Sequence, residues 1–454
     1  MSIREIVEAQ RAYFRTGATR SPSFREASLR RLRQAILERE DDINAALRAD
    51  LNKSPFEAYM TETGMVLEEL RFVLGRLRRW AKPERVPTPL AQFPSRSFIL
   101  KEPYGVTLIM APWNYPLQLS LEPLIGALAA GNCAVVKPSA YAPATSAVLA
   151  ELLGACFPPE YVAVVQGGRQ ENQDLLEESF DYIFFTGGVA VGKLVMEKAA
   201  VHLTPVSLEL GGKSPCIVDE TADIPLAARR LAFGKFLNAG QTCVAPDYLL
   251  VQRRLREPLI AALTACIREF FGPVPLDNPN YPKIVNEKHL GRLLGLLEGA
   301  HILTGGESRE GRLTPTLLDG VTADSPCMQE EIFGPILPVL TYDTLEEAVN
   351  FIVSRPKPLA LYLFTRNKAT EQRVLSSVSF GGGCVNDTII HLATSHMGFG
   401  GVGASGMGSY HGKRSFDTFT HEKSIVKKAG WLDLPMRYPP YTDKHFRLLR
   451  KFLK

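Results

Sequence analysis

Gly105-Val-Thr-Leu-Ile-Met-Ala111 and Cys133-Ala-Val-Val-Lys137 flank a largely apolar run over 117–130. Each flanking segment is apolar at consecutive positions rather than alternate ones. That pattern predicts a strand covered on both faces. The run between them predicts a helix. Strand, helix and strand make a parallel pair joined by a right-handed crossover. The rhythm continues with strands expected at 161–166 and 181–186 and helices at 143–155, 171–178 and 189–200. Residues 205–210 run into Gly211-Gly212, and a second alternating series follows. Its expected strands are 215–218, 247–252, 335–340 and 359–365, with helices at 224–238, 255–271, 286–299, 344–353 and 368–376. The fold class is therefore α/β, with two doubly wound parallel-sheet domains.

Outward from this core, Ile3, Ile6, Val7, Tyr13 and Phe14 fall at helical spacing. Ser21-Pro22 opens an amphipathic stretch carrying Leu29, Leu32, Ile36, Ile43 and Leu47, and Ser54-Pro55 starts a third helix expected to reach about Trp80. Proline suits the first turn of a helix, where its missing N–H would be unpaired anyway. Pro83, Pro87, Pro89 and Pro94 then break the pattern before a strand-like Ser97-Phe-Ile-Leu-Lys101. Residues 82–104 are thus expected to leave the main body as a small ribbon, since proline suits sheet edges. Beyond Gly381 the chain is glycine-rich, including Gly398-Phe-Gly-Gly-Val-Gly-Ala-Ser-Gly-Met-Gly408, which demands close backbone approach or positive φ. The resulting division is 1–81 with 105–208, then 209–400, with bridging segments at 82–104 and about 410–430 and a tail over 431–454.

Composition excludes several classes. The chain has 454 residues, 45% hydrophobic and 22% charged, as in ordinary globular proteins. A net charge of +4, from 52 basic and 48 acidic residues, gives no reason to expect a nucleic-acid partner. Basic residues gather over 25–39, 71–85 and 444–454, where solvated helix faces account for them; the last of these could alternatively touch a membrane surface. The N-terminus lacks a signal-like apolar core, and no run has the ~18 apolar residues of a membrane span. Seven scattered cysteines without a CxxC pair argue against a disulfide framework and against a zinc site. No metal is expected, and a reducing, cytoplasmic setting fits best.

Cys243 stands apart from the other cysteines. It follows Gly240-Gln-Thr and precedes Pro246, on an expected loop between a helix and a strand. Thiolate chemistry needs such an approachable setting. Cys133, Cys216 and Cys384 sit in strand-like runs, Cys266 in a helical run, and Cys156 and Cys327 in loops near prolines. Free cysteine is ordinarily a small buried hydrophobe. Glu209 closes an apolar strand before Gly211-Gly212 and could enter a cleft as a general base; an exposed strand-end glutamate reads the same way. Asn114 lies between Pro112 and Pro116, after the first strand of the parallel sheet, where ligands bind in such folds. Its amide could stabilise an oxyanion together with the Cys243 N–H, or simply form an Asx turn. Gly187-Gly-Val-Ala-Val-Gly192 opens a helix after a strand and could present backbone N–H groups to a phosphate. Its spacing is not G-x-G-x-x-G, so the signal is weak alone. Lys137 could reach a ribose or phosphate, or stand in solvent.

Six ordered stretches together resemble the aldehyde dehydrogenase superfamily: Pro112-Trp-Asn-Tyr-Pro116, Val136-Lys-Pro-Ser139, Phe185-Thr-Gly-Gly188, Leu208-Glu-Leu-Gly-Gly212, Gly240-Gln-Thr-Cys243 and Glu331-Ile-Phe-Gly-Pro335. The resemblance covers nearly the whole chain. The short N-terminus, and Met436-Arg-Tyr-Pro-Pro-Tyr-Thr-Asp443 leading into a basic helix, are similar to the class 3 branch, whose members typically form dimers. It implies a Rossmann-like NAD(P) domain, a catalytic domain and a homodimer. It further implies Cys243 as nucleophile, Glu209 as base and Asn114 as oxyanion donor. Lys137 would hold the adenosine ribose, Gly187 and Gly192 would border the pyrophosphate, Glu331 would bind the nicotinamide ribose, and Phe333 would place the nicotinamide. Ser139, Ala140, Gly188 and Leu210 join that cofactor set. Many NAD-preferring relatives carry Glu where Ala140 stands. Without that carboxylate a 2′-phosphate is not repelled, so NADP is expected to be accepted alongside NAD.

The implied reaction oxidises an aldehyde to an acid through a thioester on Cys243. The rivals are a thiol esterase without cofactor and a relative that passes the acyl group to coenzyme A. Trp113, Tyr115, Leu119, Thr242, Ile389 and His391 are the expected substrate liners. Their mostly apolar character favours medium-chain or aromatic aldehydes.

Overall fold

A computed structural model of the chain describes residues 1–452. Leu453 and Lys454, the end of the expected tail, lie outside the described residues. The two decisive strands, Val106–Met110 and Cys133–Lys137, are buried at every position and pair in parallel. Between them the helix Gln118–Ala130 is also buried throughout, including Glu122. An all-round apolar helix needs cover on every side. It has the sheet on one side and the helices Pro22–Glu38, Gly64–Leu74 and Lys413–Thr418 on the others. Gly131, at φ 99°, ends the helix in the left-handed conformation that glycine adopts without strain.

The first sheet has six strands in the order Gly406–Met407, Val206–Leu210, Tyr182–Gly187, Val106–Met110, Cys133–Lys137, Val162–Val164. All are parallel except the first, which runs antiparallel to Val206–Leu210. From Val106–Met110 the chain winds outward through two strands, then crosses back to add Tyr182–Gly187 on the other side. The strand order therefore reverses between Val106–Met110 and Tyr182–Gly187. Ligands bind beyond the carboxyl ends of strands at such a reversal.

The second sheet has seven strands, in the order His301–Thr304, Thr316–Asp319, Ile336–Tyr342, Tyr248–Gln252, Pro215–Val218, Ala360–Phe364, Gly382–Val385. It too is parallel but for one edge, His301–Thr304. A third, antiparallel sheet joins Glu84–Val86, Ser95–Pro103 and Thr420–Lys428.

Several expectations need correction. The stretch from Pro22 breaks at Arg39 into Pro22–Glu38 and Glu40–Leu51. The third helix is interrupted by a π-helical turn, Tyr59–Thr63, and again before Leu77–Trp80. Glu209 and Leu210 end a strand of the first sheet, so the passage to the second sheet falls at 211–214 rather than before 209. The glycine-rich 398–408 segment returns to the first sheet and supplies its antiparallel edge. Arg253–Asp277 is long and apolar enough to cross a membrane by those two measures. Within it the helix Arg256–Phe271 packs along Ile224–Phe236, with Leu259, Leu263, Cys266 and Ile267 in the core. Cys156 ends a helix and Cys327 lies within one, and both are buried; Cys384 is only half-buried.

Candidate active site

Helix Ile224–Phe236 gives way to a tight turn, Leu237–Gly240, that presents Cys243. Asn238 and Ala239 sit at φ 52° and 50° and Gly240 at φ 72°. Left-handed residues in succession cost energy and persist only where the surroundings impose them. Here Glu57 accepts from Asn238 N at 2.9 Å, and Asn238 Nδ2 donates to Asn114 O at 2.9 Å. Gln241 is fully buried; its Nε2 donates to Lys283 O and its Oε1 accepts from Val285 N, each at 3.0 Å. At Gly240 a Cβ would come within 2.3 Å of Gly334 O, so the loop rests directly on the 331–335 segment. Downstream, Tyr362 Oη donates to Val244 O at 2.6 Å.

Cys243 is half-buried rather than freely approachable. Burial, with the nearby Glu331 and Glu209 carboxylates, pushes its thiol up to about 12. The N–H groups of Cys243 and Val244 act the other way and favour the thiolate. Asn114 is buried and donates from Nδ2 to Gln241 O at 3.0 Å, which ties the 112–116 turn to the cysteine loop. Tyr115 Oη and Thr242 Oγ1 lie 2.6 Å apart and add a second tie.

Two cavities meet at Cys243. One is walled by Met60, Met65, Tyr115, Leu119, Phe233, Leu237, Ile389, Ile390, Leu392, Phe399 and Tyr410, with Thr242, Gln118 and His411 among its few polar liners. The other lies at the strand reversal of the first sheet and is lined by Trp113, Asn114, Thr186, Gly187, Gly188, Glu209, Leu210, Glu331 and Phe333. Cys243 and Leu119 line both. Expected liners Tyr115, Leu119, Thr242 and Ile389 therefore face the apolar cavity.

Two expected substrate liners do not. Trp113 faces the second cavity, 5.3 Å edge-on to Phe333 and 5.2 Å from His289. Prolines on both sides of the turn send Trp113 and Tyr115 to opposite cavities. His391 stands behind the wall, 3.6 Å from Cys384 Sγ and packed near Tyr362 and Phe399; burial pushes it down to about 4.

Glu209 is fully buried at the carboxyl end of its strand. Neither carboxylate oxygen has a hydrogen-bond partner among the described residues. Burial alone raises it well above the ordinary carboxylate range. Glu331 is raised to about 8, by burial first and then by Asp247, although it accepts from Gly212 N–H. Its Oε2 lies 1.9 Å from where a Cβ on Gly211 would fall, so a side chain there would displace the Glu331 carboxylate. Gly187 and Gly188 lead directly into the helix Val189–Val201, whose N-terminal amides face the same region.

Four expected cofactor residues lie off this cleft. Gly192 is inside that helix, where a Cβ would meet Leu210 Cδ2 at 2.6 Å; it sets helix-to-strand closeness. Lys137 ends the neighbouring strand and is buried, not in solvent. Its Nζ donates to Pro138 O at 2.8 Å and Gly167 O at 2.7 Å. Ser139 and exposed Ala140 follow it. Residues the sequence reading missed are Met60, Met65, Phe233, Tyr410 and His411 on the apolar side and His289 and Arg292 on the other. They come from remote elements without a local signature. Among the described residues no three acidic, histidine or cysteine side chains gather to hold a metal.

The arrangement fits a nucleotide cofactor on its own features: a glycine cradle at a helix N-terminus, an aromatic ring at Phe333, and the buried Glu209 carboxylate left without a partner among the described residues. The aldehyde dehydrogenase family model matches residues 1–425. The 4,4'-diaponeurosporen-aldehyde dehydrogenase of Staphylococcus aureus is 52% identical over 448 residues, covering 98% of this chain and 97% of that protein. Aldehyde dehydrogenase family 3 member B1 of Homo sapiens is 47% identical over 457 residues, covering 99% and 96%. A solved structure described as the substrate bound state of Staphylococcus aureus AldH superposes with a TM-score of 0.98 at 51% identity, covering 100% of both chains. With its two-cavity cysteine site and matches along nearly its full length, the chain belongs to the aldehyde dehydrogenase family, on the side of its class 3 members.

Proposed function

We propose that this enzyme oxidises an apolar aldehyde, medium-chain aliphatic or aromatic, to the carboxylic acid with NAD or NADP. The observation that carries the reading is the position of Cys243 as the shared floor of an apolar cavity and a polar, glycine-lined one. Aldehyde enters by the first and cofactor by the second. Gly187, Gly188, Leu210, Glu331 and Phe333 hold the cofactor's reactive half, with Trp113 walling it. Lys137, Ser139 and Ala140, one strand over, meet its adenosine half. The cofactor, when bound, supplies the hydride acceptor.

The chain's own groups do the rest. Cys243 gives up its thiol proton to water, the Sγ thiolate bonds to the aldehyde carbon, and the Asn114 amide with the Cys243 N–H receives the developing oxyanion. Loss of hydride leaves an acyl thioester on Cys243. Glu209 takes a proton from water, whose oxygen attacks the thioester carbon and releases acid and thiol. A thiol held near 12 is a poor nucleophile until its site is charged oppositely or hydrogen-bonded. The apolar walls favour uncharged aldehydes, and one relative is named for such a compound class, 4,4'-diaponeurosporen-aldehyde.

The test is aldehyde-dependent NAD(P)H formation over aliphatic and aromatic panels. Apolar aldehydes should give the highest kcat/KM. Cys243→Ala should abolish turnover while cofactor binding persists. Ester cleavage without any NAD(P)H formation would replace this reading with a thiol esterase. Acyl transfer to added coenzyme A outpacing hydrolysis would replace it with an acylating enzyme. We further propose a cytoplasmic homodimer, checked by sedimentation at micromolar concentration.

A further inference from the structure

Behind the site lies a buried ion pair that the reaction as described leaves unused. Lys53 and Glu62 are both fully buried, with Lys53 Nζ 2.5 Å from Glu62 Oε1. Removing two charges from water is costly, and well-packed apolar residues of similar volume are often as stable. Stability is therefore a weak reason for this pair. Its other contacts all lead to one turn. Lys53 Nζ donates to Asn114 O at 3.1 Å and sits 4.1 Å from the centre of the Tyr115 ring. Glu62 Oε2 accepts from Leu117 N at 2.8 Å and Gln118 N at 3.3 Å, the otherwise unpaired amides that open helix Gln118–Ala130.

Glu62 itself lies in the π-helical turn Tyr59–Thr63. Single π turns within helices are frequent at functional sites. Met60 and Thr61 of the same turn line the apolar cavity. The turn at 112–118 is thus held from Lys53 and Glu62 on one side and from Asn238 and Gln241 of the cysteine loop on the other. An ammonium has three donors and no acceptor, which suits a carboxylate, a carbonyl and a ring face at once. A methionine would fill the volume and supply none of these.

We propose that Lys53, paired with Glu62, is a positioning residue for Asn114, fixing the backbone of the 112–118 turn so that the Asn114 amide meets the oxyanion. This rests on the reading of Asn114 as oxyanion donor. Lys53 has two routes into the site, the Asn114 carbonyl and the Tyr115 ring that lines the apolar cavity; the first is read in kcat and in the coupling to Asn114→Ala, the second in the KM for aldehyde.

The experiment is a double-mutant cycle in steady-state kinetics with an apolar aldehyde, with cofactor affinity and Tm measured on every variant. Lys53→Met alone leaves Glu62 buried and uncompensated, which threatens folding. The pair Lys53→Met with Glu62→Gln is neutral, and its amide oxygen still accepts from Leu117 and Gln118. Asn114→Ala should lower kcat about 100-fold. The neutral pair should lower kcat on the order of tenfold, with cofactor affinity unchanged. Combined with Asn114→Ala, it should cost less than about twofold more. A combined loss equal to the product of the two would mean that Lys53 acts independently, overturning the proposal while the role of Asn114 stands. Wild-type kcat in the neutral pair would also overturn it. Normal turnover in Asn114→Ala would remove the donor reading, and this proposal with it.

Discussion

At the residue scale, the proposed clearance of the thioester turns on Glu209. It is buried, without a hydrogen-bond partner among the described residues, and raised well above the ordinary carboxylate range. A base must be deprotonated to act, so hydrolysis should fall as pH drops, from a limb displaced upward from the usual ~4.3. Glu209→Gln should slow deacylation by at least about 100-fold and let a thioester on Cys243 accumulate, visible by intact-mass spectrometry. Normal steady-state turnover in that variant would exclude the role. Ala140 carries a second prediction. Ala140→Glu should raise the KM for NADP by about tenfold or more while sparing NAD, because only NADP brings a phosphate against the new carboxylate. Equal effects on both cofactors would refute it.

Much of the residue-level site was legible in the sequence because its members sit where the pattern changes. Asn114 follows an apolar strand, Gly187 and Glu209 lie at the carboxyl ends of two others, and Cys243 follows a helix. The errors came from side-chain direction and from burial. A turn between two prolines sends Trp113 and Tyr115 opposite ways, and spacing does not encode which way. His391 has no local feature that says it stands behind the wall. Lys137, read as a ribose ligand with a solvated strand end as the alternative, has its Nζ among backbone carbonyls.

At the element scale, the helix Val189–Val201 approaches Val206–Leu210 because position 192 has no side chain. Gly192→Ala would place a methyl 2.6 Å from Leu210 Cδ2, so that either Leu210, which lines the cofactor cavity, or the helix N-terminus must shift. Weaker cofactor affinity by about tenfold is expected, measured by titration, with little change in Tm. Most of the parallel strands were readable since burial on both faces leaves an unbroken apolar run, but Thr316–Asp319, with polar residues at both ends, was not among those expected. The strands His301–Thr304 and Gly406–Met407 were not readable, and Gly382–Val385 showed only as a strand-like run around Cys384. They are short edges, and two are glycine-rich, so pairing rather than side-chain pattern holds them. The π turn at Tyr59–Thr63 was equally invisible, as it keeps helical periodicity on both flanks.

At the scale of the whole molecule, buried carboxylates make stability depend on pH. Glu122 is buried in helix Gln118–Ala130 and raised well above the ordinary range, by burial first and then by Glu69. The folded protein holds this proton at a pH where the unfolded chain releases it. Its contribution is thus fully present below the unfolded value, near ~4.3, and is lost as pH rises toward the folded value. Glu122→Gln removes that loss and keeps an oxygen for Gln118 Nε2, which donates to Oε1 at 3.3 Å. Its Tm advantage over the unaltered chain should grow by on the order of a few degrees from about pH 5 to about pH 8. A gap that stays constant with pH would show that Glu122 is ionised in the fold.

The contact of Gly240 with the carbonyl of Gly334 has a further consequence. No side chain can be inserted between the cysteine loop and the segment bearing Glu331 and Phe333 without parting them. The floor of the reaction chamber is therefore a closed seam, whereas the rim at Met60, Met65, Ile390 and Ala393 is built of side chains from separate, partly exposed stretches. New aldehydes would be admitted by recutting that rim, and the chemistry below would carry over unaltered.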